Sequence, residues 1–143
     1  MTEDRVLLVD DEEEFVLALS KRLKARGLEV LTAESGEKAI EIVRNHRFDA
    51  IVLDLAMPGM DGIETLKRLL EIDRDAQVIL LTGHGTVPAA TEAMKLGAAD
   101  FLEKPCDFQD LMDKLREAIR QRMKSIAKHS EEEIADILRK KGW

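Results

Sequence analysis

The sequence predicts an α/β fold: a five-stranded parallel sheet, doubly wound, with helices on both faces and an extra C-terminal helix. Three observations predict it. Short apolar runs alternate strictly with longer segments of helical period, five times over. The runs are nearly continuous in Val, Ile and Leu, as strands covered on both faces must be. The connections are of ordinary length and carry Gly, Pro, Asp or Ser where the period changes. Strands joined in this way run parallel, with right-handed crossovers.

The first strand, Arg5-Val6-Leu7-Leu8-Val9, runs into Asp10-Asp11. Phe15, Leu19 and Leu23 then recur every four residues and mark a helix that Gly27 can stop. Leu28 to Ala33 is the second strand, and Ser35 is the N-cap of a helix carrying Ala39, Ile40 and Val43. The third strand, Ala50 to Asp54, is apolar until its final carboxylate. A loop with Pro58-Gly59 leads to Asp61, which with Glu64 resembles a capping box before Ile63, Leu66 and Leu70. Gln77 to Thr82 is the fourth strand. Gly83-His84-Gly85 separates it from a helix over about residues 87–96, which Gly97 stops. The fifth strand, Asp100 to Glu103, ends at Lys104-Pro105.

The next helix places Phe108, Leu111, Met112, Leu115, Ile119, Met123 and Ile126 on one face. Ser130 and Glu133 read as a second capping box, so a separate short helix is expected over residues 131–141. Ile134, Ile137 and Leu138 form its narrow apolar stripe, and Gly142 can close it. Such a helix is marginal alone in water and is expected to pack on the domain or on a second chain. The expected organisation is one domain over 4–124 and a helical extension over 125–143. His46 and His129 are expected at helix ends, where the dipole favours a cation.

Composition narrows the function classes. A chain of 143 residues, 45% apolar and 36% charged, suits one globular domain with a real core. No apolar run approaches the ~18 residues of a membrane span. The N-terminus is acidic and lacks the pattern of a signal peptide. The single cysteine, Cys106, excludes an internal disulfide, and a cytoplasmic location is the simplest expectation. The net charge of −7 argues against nucleic acid or an anionic membrane as a partner. Between Lys114 and Lys128, however, six basic residues face one acid, Glu117. That stretch is a solvated helix face, a linker or a docking surface.

The chemistry lies at the strand ends. In a parallel sheet the carboxyl ends share one edge, where ligands bind. Asp10 and Asp11 end the first strand, Asp54 the third, Thr82 the fourth and Lys104 the fifth. Close carboxylates repel by roughly a few kcal/mol per pair at an effective dielectric near 20. Lys104 offsets one charge, and a hard divalent cation, Mg²⁺, would offset two more.

These residues resemble a known family. Val9-Asp10-Asp11, the run Asp54 to Gly62, Leu81-Thr82-Gly83 and Lys104-Pro105 look like the motifs of bacterial two-component response-regulator receiver domains, over about residues 4–124. The run from Leu81 to Pro105 resembles receivers of enhancer-binding transcription activators. The resemblance implies a flavodoxin-like strand order 2-1-3-4-5. It implies that Asp54 is the phosphoacceptor, and that Asp11 and Asp54 ligate Mg²⁺ directly. Asp10 would ligate it largely through water, and the Ala56 carbonyl would add a ligand. It further implies that Thr82 hydrogen-bonds the phosphoryl oxygens, that Lys104 pairs with them, that Phe101 is an aromatic switch, and that the Lys104-Pro105 bond is cis. His84, two residues after Thr82, is either a modulator of dephosphorylation or a solvated loop residue.

Three functions compete. The first is a stand-alone phosphorylation switch, fed by a sensor histidine kinase or a histidine phosphotransfer protein. Its output is a downstream protein or a homodimer, with no direct contact of this chain to nucleic acid or membrane. The second is the N-terminal receiver of a longer transcription activator. The third is an aspartate-nucleophile phosphatase. That class wants a second acid two residues after the nucleophile, where this chain has Ala56.

Overall fold

The computed structural model describes residues 3–56, 61–83 and 87–142. Strands β1 (Arg5–Val9), β2 (Glu29–Ala33), β3 (Ala50–Asp54), β4 (Val78–Thr82) and β5 (Asp100–Glu103) form one sheet. Helices α1 (Glu13–Ala25), α2 (Gly36–Asn45), α3 (Gly62–Ile72), α4 (Val87–Leu96) and α5 (Phe108–Lys140) alternate with them. The strand order is β2-β1-β3-β4-β5, all pairs parallel. The Pro58-Gly59 loop, His84 and Gly85 lie outside the described residues.

The two-residue period of the strands divides the core in two. Leu7, Ile51, Leu53, Val78 and Leu80 face α2, α3 and α4. Val6, Leu8, Val52, Ile79 and Leu81 face α1 and α5. Because every residue of β3 and β4 is buried, these strands cannot alternate with polar residues.

The local signals act as their chemistry requires. Ser35 Oγ accepts from the Lys38 backbone N–H, and Asp61 Oδ1 from that of Glu64. Gly27 takes φ +89° just past α1, where other residues are strained. Gly62 serves by size: a Cβ there would lie 2.5 Å from the Leu55 Cα. Its absence lets α3 start directly against the chain leaving β3.

The structure departs from expectation at the C-terminus. Residues 131–140 are helical but form no separate element, because α5 runs unbroken from Phe108 to Lys140. No Gly or Pro interrupts those 33 residues. Ser130 and Glu133 stand inside a helix, and an interior Ser costs only about 0.5 kcal/mol. Glu133 reaches away from Ser130 to Arg74, 3.3 Å off. His129 is therefore not at a helix end; its Nδ1 lies 2.8 Å from Asp75 Oδ1. His46 is at one, as the C-cap of α2.

The turn Asp73-Arg74-Asp75, between α3 and β4, holds this helix. Arg122 Nη1 donates to Asp73 Oδ2 at 2.8 Å, and Arg47 Nη1 stands 3.9 Å from the same oxygen. Ser125 Oγ donates to Asp75 Oδ1. Positions 122, 125, 129 and 133 are one stripe of α5, three or four residues apart. The basic stretch is thus divided: Arg122 is buried in this seam, while Lys124 and Lys128 are exposed.

Candidate functional site

Each site residue is delivered by the end of a strand. Asp10 follows β1 and is buried, and Asp54 closes β3 and is buried to the same extent. Thr82 closes β4 with no exposure, and Lys104 follows β5. The Lys104-Pro105 peptide is cis, and the Lys104 backbone N–H donates to the Thr82 carbonyl at 2.6 Å.

Lys104 Nζ is the centre of the cluster. It donates to Asp10 Oδ2 at 2.7 Å and to Glu12 Oε1 at 3.1 Å, and it stands 3.8 Å from Asp54 Oδ2. The Phe15 ring lies beneath it, 4.5 Å from Nζ to the centroid. Asp54 Oδ1 accepts from the Ala56 N–H at 3.1 Å, and Asp10 Oδ1 from the Glu12 N–H at 3.0 Å.

The electrostatics are unbalanced. Burial raises the Asp54 carboxyl above its ordinary value; the Ala56 N–H and Lys104 work against that rise, and Asp10 and Asp11 add to it. Burial pulls the Lys104 ammonium down, but Asp10, Asp54 and Glu12 outweigh it and hold it above its ordinary value. One cation thus serves three carboxylates.

Carboxylate oxygens of Asp10, Glu12 and Asp54 lie within 4.8 Å of one another. An all-oxygen, anionic donor set suits a hard divalent cation such as Mg²⁺ and not a soft one. Asp11 is exposed and outside this trio, though its charge is felt at Asp54. Ala56 is exposed beside the cluster. Thr82 Oγ1 donates to the Leu102 carbonyl at 3.4 Å, on the neighbouring strand. Phe101 is half-buried against the core beneath α3 and α4.

The strand ends therefore bring Asp10, Asp54, Thr82 and Lys104 to one edge. Sequence reasoning missed Glu12 and Phe15. Glu12 is the N-cap of α1, and its side chain turns back over β1 toward Lys104. The acidic run after Val9 contained that signal, but nothing in the run distinguishes Glu12 from Glu13 or Glu14. Phe15 was legible only as a core-facing helix residue. Cys106 is half-buried, and burial raises its thiol, so it is a poor nucleophile.

Comparison with known proteins agrees with this geometry. The family model for the response regulator receiver domain matches residues 6–116. The C4-dicarboxylate transport transcriptional regulatory protein DctD of Pseudomonas aeruginosa is 43% identical over 115 residues, covering 80% of this chain and 25% of DctD. Sporulation initiation phosphotransferase F of Bacillus subtilis is 35% identical over 116 residues, covering 81% of this chain and 94% of the relative. A response regulator receiver domain protein from Clostridium thermocellum superposes with a TM-score of 0.81 at 34% identity, over 84% of this chain and 97% of that one. The chain thus spans a quarter of one relative and almost all of another.

Proposed function

The chain belongs to the response regulator receiver family, and from that premise we propose that it is a phosphorylation-controlled signalling switch whose phosphoacceptor is Asp54. One observation carries this reading: a buried carboxylate at the end of the central strand, poorly neutralised, with an ammonium 3.8 Å away. A carboxylate is a competent covalent nucleophile. An Asp54 oxygen attacks phosphorus and forms an acyl phosphate, while the bond from phosphorus to the donor breaks. With a phosphohistidine donor, the imidazole nitrogen keeps that electron pair.

Phosphoryl transfer needs mostly positioning and neutralisation of charge. Lys104 is placed to leave Asp10 and Glu12 and pair with the new oxygens. Mg²⁺, held among Asp10, Asp11, Asp54 and the Ala56 carbonyl, with Glu12 in reach, would neutralise charge at the same point. The added phosphoryl group is strongly anionic and rich in acceptors. Thr82 then exchanges the Leu102 carbonyl for a phosphoryl oxygen, and Phe101 turns into the space released. The face of α4, β5 and α5 changes, and a partner reads it. The donor is a sensor histidine kinase or a histidine phosphotransfer protein, and the output is a downstream protein or a second copy. The chain acts as a switch located in the cytoplasm and not as an enzyme on external substrates. The domain is assigned to residues 4–124, with 125–143 as its output extension.

Intact-mass spectrometry with acetyl phosphate and Mg²⁺ tests the reading. One phosphoryl adduct is expected on the wild type and none on Asp54→Asn. An adduct that persists on the variant would refute the assignment. The receiver of a longer transcription activator is the second reading, favoured by a match that covers only 25% of DctD.

A further inference from the structure

We propose that Glu12 and Phe15, at the start of α1, hold Lys104 in a resting cradle and so set how fast Asp54 takes up a phosphoryl group. Three hydrogen bonds close a circuit. The Glu12 backbone N–H donates to Asp10 Oδ1 at 3.0 Å, Lys104 Nζ donates to Asp10 Oδ2 at 2.7 Å, and the same nitrogen donates to Glu12 Oε1 at 3.1 Å. Asp54 is outside the circuit: its Oδ2 stands 3.8 Å from Nζ, an ion pair without a hydrogen bond. The Phe15 ring closes the underside, its centroid 4.5 Å from Nζ. An ammonium has three N–H donors, and two are committed away from the carboxylate that the reaction uses.

The two carboxylates of the circuit are not equivalent. The Asp10 side chain is 4% exposed, so taking Lys104 from it strands a charge inside. That of Glu12 is 62% exposed, and water can solvate its carboxylate when the lysine leaves. Glu12 is therefore the contact that can be adjusted. Its side chain is also diverted from the usual work of its position: as N-cap of α1 it makes no side-chain bond to the helix. Glu13 and Glu14 carry the same charge on the same turn and are exposed, but neither reaches Lys104. While the lysine is cradled, an incoming phosphoryl group meets Asp54 with no ammonium hydrogen-bonded to it. Glu12 is thus a positioning residue that acts through Lys104, and its charge slows the transfer.

This inference rests on the Asp54 reading, and the experiment separates the two. The full chain is phosphorylated with acetyl phosphate and Mg²⁺. An Asp54 oxygen bonds to phosphorus, the bond from phosphorus to the acetyl oxygen breaks, and acetate leaves with the electron pair. Glu12→Gln should raise the rate constant about threefold, the scale of one exposed ion pair. Glu13→Gln, with the same loss of charge, should leave it unchanged. Without any donor, NMR reads the cradle: the methylene protons beside Lys104 Nζ should be shifted upfield by the Phe15 ring. That shift should be absent in Phe15→Leu, reduced in Glu12→Gln and retained in Glu13→Gln. A wild type that takes up no phosphoryl group refutes the Asp54 reading, and this inference with it. With the wild type phosphorylated, equal rates for the two glutamine variants or an unshifted Lys104 would overturn the cradle alone. So would a Glu12→Gln chain that is slower and needs more Mg²⁺, because Glu12 would then be a metal ligand.

Discussion

Asp54 and Asp75 are the same residue type at opposite edges of one sheet, and the fold moves their carboxyls in opposite directions. Asp54 is raised, chiefly by burial, with Asp10 and Asp11 adding to the rise. Asp75 is lowered, first by the Ser125 hydroxyl and then by His129 and Arg74. At the amino edge each acid of the Asp73-Arg74-Asp75 turn has a donor on α5 or beside it. At the carboxyl edge three acids share one ammonium. A structural seam satisfies its charges; the candidate site keeps one unsatisfied, and that is where a cation and a phosphoryl group can be accommodated.

The contrast can be broken from either side, and the largest effect is expected at the seam. Arg122→Ala leaves Asp73 inside with only the distant Arg47, and a loss of about 3 kcal/mol is expected in denaturant unfolding. Gly62→Ala drives a Cβ into the Leu55 backbone and shifts the chain leaving Asp54. A loss of about 1–3 kcal/mol is expected, together with slower phosphorylation. Asp54→Asn should have the opposite sign. A raised carboxyl binds its proton more tightly in the folded state, so it lowers stability as pH rises through the ordinary carboxylate range and above. In metal-free buffer the variant should therefore melt higher than wild type at neutral pH, with the gap closing under acid. The smallest effect is expected for Asp75→Asn. A depressed carboxyl contributes stability that is present above its unfolded value, near 3.8, and is lost as pH falls through its folded value. The variant should lose that acid limb in a pH series of melting curves, at a cost of about 1 kcal/mol or less near pH 7.

How much was legible follows from the range of each interaction. The strands could be read because burial on both faces writes itself into consecutive residues such as Ile51, Val52 and Leu53. The caps at Ser35 and Asp61 could be read because their partners are three residues away. The same short-range logic failed at Ser130 and Glu133, whose spacing suits a cap but whose backbone stays helical. What decided that point is a turn 50 to 59 residues earlier in the chain.

The sequence by itself determined that Asp10, Asp54, Thr82 and Lys104 meet. A parallel sheet has one carboxyl edge, and each of these residues ends or follows a strand. Only the tertiary structure decided which groups complete that edge. Glu12 joins through a bond to a lysine 92 residues away, while Asp11, its neighbour, stays exposed. It also decided that α5 is one rod with an uncovered apolar stripe, because charged side chains distant in sequence fixed its orientation against the body.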